Sequence, residues 1–169
     1  MISSDDFFSC DYFSLFALSQ SITVDNKQLQ ERYQSLQRSV HPDRFAAAPT
    51  ADKRAAMQMA SRVNEAYQTL RTPLRCAAYL LSLRGISALA ENNTVMPPDF
   101  LMQQLEWREA LEEAENDTAA LATLRKEIET TVTTVQYDTT THLANNDNEA
   151  AANAVRRWHY LQKMLDDIA

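Results

Sequence analysis

His41-Pro42-Asp43 sets an imidazole and a carboxylate two residues apart around a proline. In an enzyme such a pair would be a general base and its orienting group, acting on a nucleophile or an anchored substrate. No nucleophile motif and no glycine-rich phosphate loop accompanies it. The other histidines, His142 and His159, stand in no motif that specifies a reaction. Cys10 and Cys76 are the only cysteines and form no CxxC pair. The chain is therefore expected to be no enzyme and to hold no cofactor, zinc or iron–sulfur cluster of its own, since a cluster wants several thiolates. Cys76 reads as a small buried apolar residue. What remains for the tripeptide is presentation of its polar groups to a partner.

The elements that must position it are helices. Leu29, Tyr33, Leu36 and Val40 recur at spacings of four, three and four, and Ala56, Ala60, Val63, Tyr67 and Leu70 repeat the pattern after the tripeptide. Both sets are the buried stripe of an amphipathic helix. Pro42 lacks an N–H and disfavours helical dihedrals at His41, so the first helix ends about there. The tripeptide then caps an antiparallel pair, with imidazole and carboxylate facing water. The pattern predicts helices at about 11–18, 25–41, 51–71, 73–84, 98–115, 118–144 and 148–168. Thr72 is expected to cap the helix opened by Pro73, and Asp117 and Asp147 the last two. Gly85 stands where a left-handed residue closes a helix. It is the one glycine of the chain, a scarcity that favours helices with short turns over sheets. Residues 86–96 read as a linker containing Asn92-Asn93-Thr94, a glycosylation sequon given no weight without a secretory signal. Threonines at 130, 131, 133, 134, 139, 140 and 141 are poor helix formers and argue against an unbroken helix there.

The ordered series around the tripeptide resembles a known family. Asp11-Tyr12-Phe13-Ser14-Leu15-Phe16 is similar to the opening "DYF-x-LF" helix of a J-domain, Leu36 to Phe45 to its second helix and HPD loop, and Val63 to Leu70 to its third. With Pro73 to Leu81 and Phe100 to Glu106, the chain resembles the HscB family of J-type co-chaperones in iron–sulfur cluster assembly. The likeness runs from about Asp11 to the C-terminus. It implies an all-α protein: a J-domain helical hairpin over residues 1–85, a linker over 86–97 and a three-helix C-terminal bundle over 98–169. The cysteine metal site that some members carry near the N-terminus is missing.

Winding the 25–41 helix at about 100° per residue puts Lys27, Gln34 and Arg38 opposite its apolar stripe. The resemblance implies that this basic side docks an acidic surface of an HscA- or DnaK-type chaperone ATPase. The docking set is then His41, Pro42 and Asp43 with Lys27 and Arg38, Arg32 at the margin and Arg44 just past the loop. Asp43 would accept charge-assisted hydrogen bonds from a partner arginine. For two basic residues alone, a solvated face would be the simpler reading.

The 98–115 segment is two-faced on residue pattern alone. Phe100, Trp107, Leu111 and Ala114 form one stripe, while Leu101, Met102 and Leu105 lie nearly opposite with Glu106, Glu109, Glu112 and Glu113. One core cannot bury both faces, so an exposed apolar patch with an acidic border is predicted, a mark of a partner site. The resemblance implies that this partner is an IscU-type iron–sulfur scaffold, held by Leu101, Met102, Leu105, Glu106, Glu109 and Glu113, with Tyr160 on the last helix where the family has phenylalanine. Leu101 or Leu105 packing on the linker or on the J-domain is the alternative. Ile86 and Leu89 are expected to pack between the domains.

Charge is divided in the same way. Lys27 to Arg71 holds eight basic and four acidic residues, while Asp99 to Glu149 holds three basic and twelve acidic ones. The overall charge of −7 and the lack of a basic stripe interleaved with aromatics argue against nucleic-acid binding. No apolar run reaches the roughly 20 residues that span a bilayer, and the first residues do not resemble a signal peptide. The expectation is a cytoplasmic monomer. Two alternatives stay open: a J-protein for another client, and a structural helical protein in which HPD is only a turn.

Overall fold

The computed structural model describes residues 4–90 and 96–168. All regular elements among them are helical: α1 (Ser4–Ser9), α2 (Tyr12–Leu15), α3 (Asn26–Val40), a single 3-10 turn (Pro42–Phe45), α4 (Thr50–Arg71), α5 (Pro73–Leu83), α6 (Pro98–Glu113), α7 (Thr118–Ala144) and α8 (Asn148–Ile168). The sequon and residues 91–95 of the expected linker lie outside the described residues. The chain divides into two compact units, residues 1–80 and 81–169, with α5 running across the division.

In the first unit α3 and α4 are antiparallel. Tyr33 stacks on Tyr67 with ring centroids 4.1 Å apart and its hydroxyl donates to Asn64 at 2.8 Å, while Leu36 and Val40 line one cleft with Ala56 and Met59. Asp25 starts α3 by accepting from the N–H groups of Lys27 and Gln28. Leu29, Val40, Ala56, Val63, Ala66 and Leu70 are buried, and Tyr33, Leu36, Ala60 and Tyr67 are half-buried at the seam's edge. The first helix is shorter than its expected 11–18 span. Asp11 caps it, and Ala17 takes a left-handed conformation (φ 51°) that ends it, with Leu18 N–H donating back to Phe13 at 2.8 Å. Ahead of it stands α1, which the sequence pattern did not indicate; Arg62 of α4 holds it by donating to the carbonyls of Phe7 and Cys10.

Cys76 is fully buried, as read, and its thiol donates to the Ser21 carbonyl at 3.2 Å. Burial pushes this thiol up to about 12. The unfolded chain releases the proton near pH 8.5, so the folded form binds more protons between there and about pH 12, and stability must fall as pH rises through that window. Burial also raises Tyr12 and Tyr79, which add to the loss. Thermal melts from pH 8 to 11 should therefore show a falling midpoint, and Cys76→Ala should flatten part of that fall. A Cys76→Ala slope equal to that of the parent would contradict the assignment.

The second unit is a three-helix arrangement. Its core includes Trp107, Ile128, Val135, Leu143, Val155, Trp158 and Leu161, while Leu121, Leu165 and Ile168, at the ends of the expected rows, are half-buried. Asp117 caps α7 by accepting from Ala119 and Ala120, and Asp147 accepts from Ala150 at the start of α8. Despite its threonines α7 is unbroken. Their hydroxyls donate to the carbonyl four residues back, for example Thr139 to Val135 at 2.7 Å, so even the buried Thr139 carries no unsatisfied group. Gly85 has φ +81° and ends α5 with Ile86 N–H donating to Leu81, as its position foretold. Beyond it Ala88 is buried, Ile86 is half-buried and Leu89 is 40 % exposed.

Candidate functional site

Two surfaces present side chains that the fold does not use. The first is built on the break between α3 and α4. His41 leaves the helix in an extended conformation (φ −61°, ψ 129°), imposed by the proline that follows. Pro42 opens the 3-10 turn, in which Arg44 N–H donates to the His41 carbonyl at 3.0 Å. The His41 ring caps the turn: Nδ1 accepts from Asp43 N–H at 3.3 Å and lies 3.5 Å from Asp43 Oδ2. An accepting Nδ1 leaves the neutral ring's proton on Nε2. The imidazole thus fixes the turn, while the carboxylate is 92 % exposed and free to take a donor from outside. Pro42, also exposed, locks the shape between them.

Lys27, Gln34 and Arg38 are exposed on α3, and Arg44 is exposed with its guanidinium 3.4 Å from the Arg38 carbonyl. Lys27 and Arg38 lie about 16 Å apart along the helix at 1.5 Å per residue. Arg38 and Arg44 gather positive charge at the C-terminal end of α3, where the helix dipole favours it. Arg32 differs from this set. It is half-buried and donates to the Phe16 and Ala17 carbonyls, closing the end of α2 against α3. One nitrogen of its guanidinium thus has a structural role, which its position beside the basic face did not disclose. The sequence also did not show an apolar cleft of about 670 Å³ beside the loop, between Leu36, Val40, Phe45, Ala56 and Met59.

The second surface is α6. Phe100 (1 % exposed) and Trp107 (3 %) face the core, and Trp107 Nε1–H donates to Glu127 of α7 at 3.2 Å. Ala114 is buried and Leu111 half-buried on the same stripe. On the other side Leu101, Met102 and Leu105 are 46 %, 66 % and 60 % exposed. Both Leu101 and Leu105 are therefore largely open to solvent. Glu106, Glu109, Glu112 and Glu113 are exposed, and among the described residues none of them forms an ion pair. Tyr160 of α8 is half-buried, its ring edge-on to Phe100 at 5.9 Å, which joins it to the end of α6 that carries Leu101. Arg157, one turn earlier on α8, lies over the same ring with its guanidinium carbon 4.8 Å from the centroid. Sequence reasoning missed Arg157; its only signal was the three-residue spacing from Tyr160.

With that geometry in place, the comparison with known proteins is decisive. The chain is 47 % identical over 159 residues to the co-chaperone protein HscB homolog of Cupriavidus taiwanensis, covering 93 % of this chain and 90 % of that one. The chain belongs to the HscB co-chaperone family. The sequence model described as the HSCB C-terminal oligomerisation domain matches residues 96–169. The fold superposes on the HscB chaperone of Vibrio cholerae with a TM-score of 0.84 at 34 % identity, covering 94 % of this chain and 95 % of that one. It superposes on human HscB with a TM-score of 0.89 at 32 % identity, covering 95 % of this chain and 81 % of that one. The all-α architecture, a J-like N-terminal part and a C-terminal helical bundle, is that of the HscB structures. Among the described residues no helix is long and apolar enough to cross a membrane.

Proposed function

We propose that this HscB-family chain is a two-ended adaptor of iron–sulfur cluster assembly in the cytoplasm. The C-terminal region (98–169) binds an IscU-type scaffold through Leu101, Met102, Leu105, Glu106, Glu109, Glu113 and Tyr160. The J-domain (1–85) docks an HscA- or DnaK-type chaperone through His41-Pro42-Asp43, Lys27, Arg38 and Arg44, with Arg32 at the margin. Docking promotes ATP hydrolysis, which closes the chaperone on the scaffold. The chain does no chemistry itself; it holds one partner at high effective concentration near the other.

The observation that carries this reading is the two-faced α6. A surface helix that buries Phe100 and Trp107 yet leaves three large apolar residues in water is built for a second protein. Its unpaired glutamates suit a basic partner and its apolar trio a hydrophobic one. The exposed loop carboxylate and the basic α3 face serve a partner of opposite charge. The adaptor reading requires both partners at once. Sedimentation of the chain with an IscU-type scaffold and an ATP-bound HscA-type chaperone should show a ternary complex. Two mutually exclusive binary complexes would contradict it.

A further inference from the structure

Arg157 is an anomaly on α8. Its guanidinium carbon lies over Phe100, 4.8 Å from the ring centroid, its Nε is buried, and no described residue accepts a hydrogen bond from that nitrogen. None of the acidic side chains of α6 pairs with it, although that helix is rich in glutamate. The residue is only half-buried, so its open edge is the Nη end. An arginine held over an aromatic ring by a cation–π contact keeps its planar fork unspent, and such a fork can take a carboxylate with two parallel hydrogen bonds. Tyr160, one turn away, touches the same ring.

We propose that Arg157 is a cationic contact of the client surface, beside the exposed Arg108 of α6, and takes a carboxylate of the client. This rests on the client reading of α6 and adds to it. The partner's matching face must then be mixed in charge: basic groups opposite Glu106, Glu109 and Glu113, and one aspartate or glutamate opposite Arg157. Together with Arg108, the exposed cation of α6 itself, that reversed charge sets the register of the partner on α6, because a shifted docking would bring the acid against glutamates. It also separates a true client from any basic, apolar protein.

The test is calorimetric titration of an IscU-type scaffold into the full chain and into Arg157→Met, Arg157→Lys and Leu105→Ala. Scaffold variants with surface carboxylates changed singly to amides are titrated alongside. Methionine keeps an apolar contact with Phe100 and removes only the charge and the fork. Arg157→Met should bind about tenfold more weakly, and Arg157→Lys should recover part of that loss. One scaffold amide variant should weaken binding to the parent by a similar factor while leaving Arg157→Met unaffected. Undiminished binding by Arg157→Met, beside weakened binding by Leu105→Ala, would overturn the Arg157 assignment and keep the client surface. A loss in Arg157→Met that couples to no scaffold carboxylate would also overturn it, showing a side chain that merely covers Phe100. Undiminished binding by Leu105→Ala would remove the client reading itself.

Discussion

Asp43→Asn is expected to abolish stimulation of the chaperone's ATPase while leaving the protein folded. The carboxylate is 92 % exposed and lies 3.5 Å from His41 Nδ1. The cap that shapes the turn uses the backbone N–H of Asp43, which the substitution keeps. The change should therefore cost less than about 0.5 kcal/mol of stability, the range of a surface substitution. Docking loses far more. A hydrogen bond to a charged group contributes about 1.5–3 kcal/mol, which converts to a loss of roughly 10- to 100-fold in affinity for a partner arginine. Steady-state hydrolysis at a fixed chaperone concentration measures the effect, with melting temperature as the control. Stimulation equal to the parent's would reduce the tripeptide to a helix stop.

The second large effect belongs to α6. Replacing Leu101, Met102 and Leu105 together with alanine should weaken scaffold binding by at least about 100-fold, since each is an apolar anchor worth roughly 1–2 kcal/mol when covered. The same change should leave stability equal or slightly higher. These side chains are in water, and alanine is the best helix former. Phe100→Ala makes the contrast: on the buried face it should cost about 3–5 kcal/mol of stability. Scaffold titration and thermal melts of both variants separate the two faces. If the triple variant melted much lower and Phe100→Ala did not, the assignment of faces would be inverted. Stimulation of the chaperone in the absence of scaffold should be the same for the triple variant and the parent.

Much of this was legible in the chain because helices write their faces in a fixed period. The seam of Leu29, Val40, Ala56, Val63 and Leu70, the caps at Asp117 and Asp147 and the turn at Gly85 all follow from spacing and residue type. The exposure of Leu101, Met102 and Leu105 followed from the same arithmetic, because Phe100 and Trp107 already claim the core side. What was not legible depends on contacts far apart in sequence. Nothing in an alanine announces a left-handed backbone, so the early end of α2 at Ala17 was hidden. The threonines of α7 argued against a helix by propensity, and their hydroxyls answered by bonding back along it. Arg32 was read at the margin of a docking face, and its bonds to carbonyls 15 and 16 residues away could not be seen in the sequence. Arg157 gained meaning only when folding put it over Phe100.

The adaptor account is tested most directly by titrating this protein into an HscA-type chaperone and measuring steady-state ATP hydrolysis, with and without an IscU-type scaffold. The account predicts stimulation by the protein alone and a far larger, synergistic stimulation when the scaffold is present. Stimulation indifferent to the scaffold would contradict the client surface on α6, and no stimulation under either condition would contradict the docking role of the His41-Pro42-Asp43 loop.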